Sequence, residues 1–262
     1  MAVRIFFILA FGVFSISSFS SVDVGSPGGF EMNNSEKAIQ ERKDNDLRVG
    51  ELAKASYSYH FQVSAIEEYE NISNKLRSIK GKLDQIYSFS SYLLNNGRVL
   101  PPVITESDGS FEILSNSMSR ITSKQYKIEK QARIVATPPT WRDYLYQDFD
   151  KPIEIHSALM PKNEMEWRIF NIEKERAIES GKKHAFLLFD HSKAVLDRDM
   201  KGIVKFHALS EMGMVDVPIL SEGRVGIKVG DTMLDIDQRV FELHNRGGFK
   251  GKEEWKPIIS TN

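Results

Sequence analysis

Apolar residues recur every three or four positions across residues 46–94, and this is the clearest periodic pattern in the chain. Its second half carries an apolar stripe made of Ile72, Leu76, Ile79, Leu83, Ile86 and Leu93. Steps of four and three place these side chains on one face of a helix. The stripe therefore predicts a long helical region that packs on its own domain, while pairing as a coiled coil is the alternative. We expect a bend at Gly81 and an end at Asn95-Asn96-Gly97.

Short extended segments are predicted after this helical region. Residues 99–104 are apolar but contain Pro101 and Pro102, so we expect an extended segment lying on the core. Residues 107–110 (SDGS) predict a turn. Apolar and polar residues then alternate over 121–135, which favours a half-buried strand, although a helix also fits the pattern.

Two capping patterns predict the helices that follow. Thr140 and Asp143 have the spacing of a capping box, which predicts a short helix over 141–146. An extended piece is expected over 152–160. The same spacing recurs at Asn163 and Glu166, where a second long helical stretch begins.

This second helical stretch should be divided at Gly181 and should end near Met212-Gly213, where glycine can adopt the left-handed cap. Its later part has one apolar side, formed by Ala185, Phe189, Leu196, Met200 and Ile203.

The C-terminal part has the pattern of β-structure. Strands are predicted at 215–217, 225–229, 233–236 and 239–243. A hairpin turn is expected at 221–223 and a further turn at Gly230-Asp231. Helices come first and strands last, so we predict an α+β fold, with a helix-rich N-terminal half and a mixed or antiparallel sheet concentrated in the C-terminal part.

The N-terminus has the order of residues found in secretory signals. Arg4 precedes the apolar run 5–14, and Ser18-Phe19-Ser20 provides a small-x-small cleavage pattern. The apolar run is too short to span a bilayer. We therefore predict a signal peptide over 1–20, a flexible tether over 21–45, a single α+β domain over 46–262, and a periplasmic location.

Composition limits the classes of function. The 262 residues are 41% hydrophobic and 27% charged, which permits a folded core. The net charge of −1 gives no strong global field for attracting nucleic acid or anionic lipid. The chain has no cysteine, which excludes disulfides, thiolate metal sites, thiol catalysis and acylation of a cysteine.

The sequence predicts no catalytic, cofactor-binding or metal-binding residue. A Gly-x-Ser-x-Gly elbow and an HExxH motif are both absent. His184 and His191 lie seven residues apart beside Asp190, but no third ligand with matched spacing is evident. The six histidines are interpreted as ordinary surface or core residues; they are His60, His156, His184, His191, His207 and His244.

Three charged groups invite a functional interpretation, and a structural one is favoured for each. Asp197-Arg198-Asp199 is expected to form structural ion pairs, because its side chains point in different directions on a helix. The acidic residues Asp231, Asp235 and Asp237 lack the EF-hand order. A basic series is interpreted as a solvated face rather than a nucleic-acid site; it consists of Lys124, Lys127, Lys130 and Arg133.

Several segments, in this order and spacing, resemble the DotC family of type IVB (Dot/Icm and related conjugative) secretion systems. They are 83–89, 99–104, 138–145, 159–161 with Trp167-Arg168, 196–202, 212–215 and Pro218. The similarity extends from about Leu47 to Pro257. Single motifs such as WRDYL are only moderately specific, whereas the ordered set is much more specific.

The resemblance implies a non-enzymatic structural component of an outer-membrane core complex. DotC-like proteins act with DotD-like and DotH-like partners and help to position the DotH-like component. The implied assembly is a large oligomer that contacts the outer membrane through partners and does not itself bind nucleic acid. Within the WRDYL motif we expect Trp141 and Tyr144 to be buried and Asp143 to cap its helix.

One feature departs from the family, whose members resemble lipoproteins with a cysteine directly after the signal. Here Ser20-Ser21-Val22 occupies that neighbourhood. We therefore expect partners to hold the protein at the membrane. The alternatives are a periplasmic hydrolase, which requires a deep pocket with convergent polar groups and shifted pKa values, and a soluble periplasmic binding or adaptor protein with a ligand cleft.

Overall fold

The computed structural model describes residues 34–115, 117–229 and 234–256. Two long helices of 45 and 48 residues dominate it. The helices are α1 (Asn34–Ser78), α2 (Lys80–Ile86), α3 (Trp141–Leu145) and α4 (Glu164–Glu211). Short 3₁₀ turns occupy Phe89–Tyr92, Ser157–Leu159 and Lys252–Glu254. None of the helices in these described ranges has the length and apolar composition needed to cross a membrane.

The strands form two-stranded antiparallel sheets. They are β1 (Val99–Leu100), β2 (Val103–Ser115), β3 (Met118–Lys130), β4 (Arg133–Ile134), β5 (Ile219–Val229) and β6 (Leu234–Asn245). β1 pairs with β4, β2 with β3, and β5 with β6. Long helices together with antiparallel sheets confirm the predicted α+β class.

The chain divides into two compact units. Unit 1 comprises residues 1–74 and 147–188, and unit 2 comprises residues 75–146 and 189–262. α1 and α4 each contribute to both units. The single domain expected over 46–262 stays a prediction.

In unit 1, α1 and α4 pack closely and run in the same direction. The Ser56 hydroxyl donates to the Phe170 carbonyl at 2.8 Å, and the Ser64 hydroxyl donates to the Ile178 carbonyl at 2.8 Å. Both bonds have the same sequence separation, so the two helices advance together. Small side chains permit this approach, and the fully buried residues of unit 1 include Ser56, Ala177 and Ala185.

Gly181 lies at the closest approach within unit 1 and does not divide α4, contrary to our prediction. A Cβ added at Gly181 would lie 2.5 Å from the Phe61 carbonyl oxygen and 2.5 Å from Ser64 Oγ. The glycine is therefore explained by helix contact, because its missing side chain makes room for the backbone of α1 while α4 continues unbroken.

Unit 2 has a larger apolar core, built where strands β1 and β2 meet α4. Ile104, Phe206, Leu209 and Val215 form one buried cluster. Close contact also occurs at Gly202, where an added Cβ would lie 2.5 Å from Val103 Cγ1. The apolar segment 99–104 is thus extended and buried, as predicted, with its two prolines between β1 and β2.

The apolar stripe of the first helical region does not form one continuous face. α1 ends at Ser78, and Ile79 has non-helical backbone angles (φ −109°, ψ 14°) before α2 begins. Ile72 and Leu76 are buried, whereas Ile79 and Ile86 are 43% and 62% exposed. The break therefore precedes the bend predicted at Gly81, and the stripe provides no uninterrupted coiled-coil seam.

Both turns predicted from local composition within strand segments are wrong. Residues 107–110 lie inside β2, where Ser107 opposes Gln125 and Asp108 opposes Lys124. Residues 221–223 lie inside β5, where Ser221 opposes Glu242. Cross-strand pairing along a long hairpin outweighs the weak local preference of Ser, Asp and Gly for turns.

Other local predictions are confirmed. Residues 118–130 form strand β3, which settles the ambiguity of 121–135 in favour of a strand. The carboxylate of Asp143 accepts the Thr140 backbone N–H at 2.7 Å at the start of α3. The Asn163 side chain accepts the Glu166 backbone N–H at 2.8 Å at the start of α4.

The helix ends give a mixed result. α4 ends before Gly213, whose φ of 71° is the predicted left-handed cap. α1 begins earlier than expected, so residues 34–45 of the predicted tether are helical. Residues 157–159 form a 3₁₀ turn within the piece predicted to be extended. The predicted signal peptide, residues 21–33 of the predicted tether and the predicted turn at Gly230-Asp231 lie outside the described residues.

Candidate functional site

Most of the segments that carry the family resemblance lie in unit 2, whereas 159–161 and Trp167-Arg168 lie in unit 1. Polar and aromatic side chains from α2 and its following turn, α3 and α4, with a lysine of β3, form three groups of contacts, each centred on one aspartate. We call them together the motif network; its members are Asp84, Tyr87, Phe89, Lys130, Trp141, Arg142, Tyr144, Asp197, Arg198 and Asp199.

Asp84 joins α2 to α3. Trp141 Nε1 donates to Asp84 Oδ1 at 2.8 Å, and Arg142 donates to both carboxylate oxygens at 2.7 and 3.2 Å. Arg142 also stacks on the Trp141 ring at 4.4 Å from its centroid. The hydrogen bonds from Arg142 and Trp141 lower the pKa of Asp84 below its ordinary value. The WRD segment therefore fastens α3 to a negatively charged group on α2.

Asp197 joins the end of α2 to α4. The Tyr87 hydroxyl donates to Asp197 Oδ1 at 2.5 Å, and Lys193 donates to Oδ2 at 2.9 Å. Burial, followed by the contact with Asp197, raises the pKa of Tyr87 to about 12. Burial opposes ionisation of Asp197, but the bonds from Tyr87 and Lys193 outweigh it and lower its pKa. Tyr87 is thus held protonated as a donor to a charged carboxylate.

Asp199 is the buried centre of the motif network, with 1% exposure. Arg198 donates to Oδ1 at 2.7 and 3.0 Å, and Tyr144 donates to Oδ2 at 3.0 Å. Lys130 of β3 also donates to Oδ2. Burial and the nearby Asp199 charge raise the pKa of Tyr144, whose ring stacks on Phe89 at 5.8 Å. Both oxygens of this carboxylate are therefore occupied by donors from three parts of the chain.

A pocket of about 270 Å³ opens beside Asp199. It is lined by Leu100, Pro101, Val103, Lys130, Gln131, Arg133, Tyr144, Asp199 and Ile203. The polar groups of the motif network in its wall are paired with one another: Asp199 accepts from Tyr144 and Lys130. In this arrangement the carboxylate anchors the wall of the pocket, and the tyrosine acts as a hydrogen-bond donor.

The ion pair predicted within the 197–199 triplet is present, while the absence of nucleic-acid binding by the basic series stays a prediction. Arg198 pairs with Asp199, so the 197–199 triplet does contain a structural ion pair, and Asp197 has different partners. In the basic series, Lys124 pairs with Glu106 and Lys127 pairs with Glu129. Lys130 pairs with Asp199, and Arg133 lines the pocket.

The candidate metal residues are not brought together by the part of the chain that the structure describes, which contains no group of three potential ligands. His184 contacts the Phe61 ring at 5.3 Å, and burial lowers the pKa of this histidine. His191 is exposed in unit 2. Asp231 lies outside the described residues. The absence of a metal or cofactor stays a prediction.

Sequence reasoning missed a second arrangement, which lies in unit 1. Arg48 donates to the carbonyls of Ala158 and Met160 at 2.7 and 3.1 Å and to both oxygens of Glu166 at 3.2 and 3.4 Å. The Lys162 backbone N–H and Arg48 lower the pKa of Glu166. The segment 158–166 includes residues of the family resemblance, but nothing in the sequence pointed to an arginine more than a hundred positions earlier.

The comparison with protein families matches residues 46–257 to the TraI family of type IV secretory systems, described as conjugal DNA-protein transfer. The match covers most of the chain and includes the motif network and the Arg48 arrangement. The chain therefore belongs to this family. No curated protein matches it.

Proposed function

We propose that this member of a conjugal type IV secretory family is a non-enzymatic structural component of the outer-membrane core complex, as its DotC-like segments imply. In this role it is exported to the periplasm and helps to assemble or localise a DotH-like component, together with a DotD-like one. Its contribution to DNA–protein transfer is a correctly shaped surface rather than a chemical step.

The observation that supports this proposal is the use that the fold makes of the motif residues. Asp84, Asp197 and Asp199 each accept hydrogen bonds from groups on other segments of unit 2. Tyr87 and Tyr144 have raised pKa values and serve as donors. Residues used in this way fix the geometry of a folded unit, which is what an assembly component requires.

Dependence on protein amount separates the structural role from an enzymatic one. We expect DNA transfer to fall in proportion to the amount of this protein when its expression is lowered stepwise, because a structural component is needed at fixed stoichiometry. An enzyme would sustain transfer at a small fraction of its normal level. Transfer that persists at such levels would contradict the proposal.

The partners are tested by cross-linking in the native envelope, affinity purification and mass spectrometry. A DotH-like protein recovered at near-matched abundance is the expected result. Fractionation of membranes with and without that partner tests how the chain is held there. Since the chain has no cysteine to acylate, we expect it to leave the membrane fraction when the partner is deleted.

A periplasmic hydrolase is the alternative that the pocket beside Asp199 favours, because a pocket was required by that interpretation. Tyr144→Phe removes the only ionisable atom of that side chain and keeps the ring that stacks on Phe89. We expect this variant to keep most of its DNA transfer. A loss of transfer by two orders of magnitude, with normal protein level and normal partner recovery, would favour the hydrolase.

A further inference from the structure

The β2–β3 hairpin changes its buried face along its length. From 104 to 113 the two strands pair in one regular register, with Ile104 opposite Ile128 and Phe111 opposite Ile121. Near the base, Ile104 is buried and packs in the core cluster together with Tyr126 and Ile128. Because side chains alternate between the two faces of a strand, the even-numbered residues form the face that contacts the core.

Three exposed apolar residues of the outer half lie on the opposite face. Phe111, Ile113 and Ile121 have odd numbers in this register and are 64%, 72% and 75% exposed. We call their surface, together with the exposed Ser119 and Ser123 beside them, the tip face. A strand that is apolar on one face at its base and on the other at its tip cannot bury both faces against the same core.

The even-numbered face carries paired charges, and nearer the turn it also carries Met118, which is 60% exposed. Glu112 pairs with Arg120 at 3.5 Å, and Glu106 pairs with Lys124 at 2.7 Å and with Lys205. The tip face therefore holds no charged side chain, while the face behind it holds several. This separation leaves a neutral surface with three exposed apolar side chains on the odd-numbered face.

The absence of charge on the tip face limits the kinds of partner that it can bind. A surface without charge offers nothing to a strongly acidic or basic partner, or to anionic lipid headgroups, but two copies of it meet without repulsion. An interface between two identical copies requires such a self-complementary patch. Serines beside branched and aromatic side chains on one face of a strand pair also suit the face-to-face packing of sheets about 10 Å apart.

The area is sufficient for such a contact. Phe111, Ile113 and Ile121 expose on the order of 400 Å² of apolar surface, which is within the range of the largest patch on a typical monomer. Two copies face to face would hide roughly twice this area, and the exposed Ser119 and Ser123 of each copy bring the total near the about 1,000 Å² that a specific interface needs.

We infer that the tip face of the β2–β3 hairpin docks against the tip face of a second copy of this chain. The inference rests on the proposed function, since an assembly component must contact its neighbours, and it names one of those neighbours. The outer half of a two-stranded hairpin is only marginally stable alone in water, so docking would also stabilise it.

The natural absence of cysteine makes the contact directly testable. Ser119→Cys puts a thiol on the tip face, and Arg120→Cys puts one on the ionic face at the same distance from the hairpin turn. With the purified full-length mature protein and a short bismaleimide, we expect cross-linked dimers from Ser119→Cys at a yield at least tenfold above Arg120→Cys. Equal yields, or no dimer from either variant, would overturn the inference.

A second measurement excludes misfolding as the explanation. Ile121→Lys places like charges across the proposed contact, while Thr122→Lys places the same charge on the other face. Light scattering should show that only Ile121→Lys abolishes the dimer, with both circular dichroism spectra unchanged. Two other results would refute the copy-to-copy contact. One is that the wild type binds neutral lipid vesicles and that Ile121→Lys loses this binding. The other is that the Ser119→Cys thiol, tested in envelopes, cross-links only to a different protein. Either of these results leaves the proposed function intact if a DotH-like partner is still recovered.

Discussion

The two units use the same pair of long helices but are stabilised by different chemistry. In unit 1 small residues bring backbones together, and serine hydroxyls bond directly to main-chain carbonyls. In unit 2 charged and aromatic side chains from several segments surround the buried carboxylate of Asp199. The packing of unit 1 therefore depends on side chains that are small or missing, whereas the stability of unit 2 depends on the identity of particular polar groups. Substitutions should therefore damage the two units for opposite reasons.

The largest effect is expected from Trp141→Ala in unit 2. Trp141 is 1% exposed and donates to Asp84, so its removal creates a large cavity and leaves Asp84 with Arg142 alone. We expect a loss of about 4 kcal/mol in the free energy of unfolding, measured in urea by circular dichroism. The control is Trp167→Ala in unit 1, where a tryptophan that is 46% exposed should cost no more than about 1 kcal/mol. Equal losses would contradict the buried position of Trp141.

Unit 1 is tested by adding volume instead of removing it. Gly181→Ala would place a methyl group 2.5 Å from the Phe61 carbonyl oxygen, so the helices must separate. We expect a loss of about 2 kcal/mol in the free energy of unfolding. Gly50→Ala is the matched control, because it lies in α1 with no atom within 4 Å of the added methyl group. This control should gain up to about 1 kcal/mol from helix propensity, so a gain at both positions would refute the close contact.

Local patterns predicted the elements of both units better than they predicted the contacts. The caps at Thr140 and Asn163 were readable because a cap is satisfied within four residues. The role of Gly181 could not be read from the sequence, because a glycine that ends a helix looks the same there as a glycine that makes room for a neighbouring backbone. The turns at 107–110 and 221–223 failed because hairpin register is fixed by the partner strand, which local composition does not contain.

The candidate site shows the same limit. The resemblance identified the separate segments that contain Asp84, Trp141 and Asp199. It did not indicate that the fold brings these segments together. Lys130 was interpreted only as part of a basic face, since its partner Asp199 lies 69 positions later. The change of face at the β2–β3 tip was present in the alternation itself, and it becomes visible once the register is known.

A smaller effect is expected at the charged Arg48 arrangement of unit 1. Arg48→Lys keeps the charge but loses the planar group that reaches two carbonyls and both oxygens of Glu166 at once. We expect a loss of about 1 kcal/mol in the free energy of unfolding. Lys54→Met removes an exposed pair with Glu51 and should change stability by less than about 0.5 kcal/mol. If the two variants behave alike, the Arg48 arrangement contributes no more than an ordinary surface pair.

The smallest effect is expected at Glu106, at the base of the hairpin. It is negligible at neutral pH and appears only in acid. Hydrogen bonds from Lys124 and then Lys205 lower the pKa of Glu106 from 4.5 to about 2. A carboxyl whose pKa is lower in the folded state stabilises the fold above its unfolded pKa and loses that contribution as pH falls toward the folded value. The wild type should therefore lose stability between about pH 4.5 and pH 2, and Glu106→Gln should flatten part of this slope in thermal melts recorded across that range.

Glu112→Gln, on the same ionic face but in an exposed pair with Arg120, should keep the wild-type slope. A Glu106→Gln profile that runs parallel to the wild type would show that the bonds from Lys124 and Lys205 to Glu106 do not stabilise the fold.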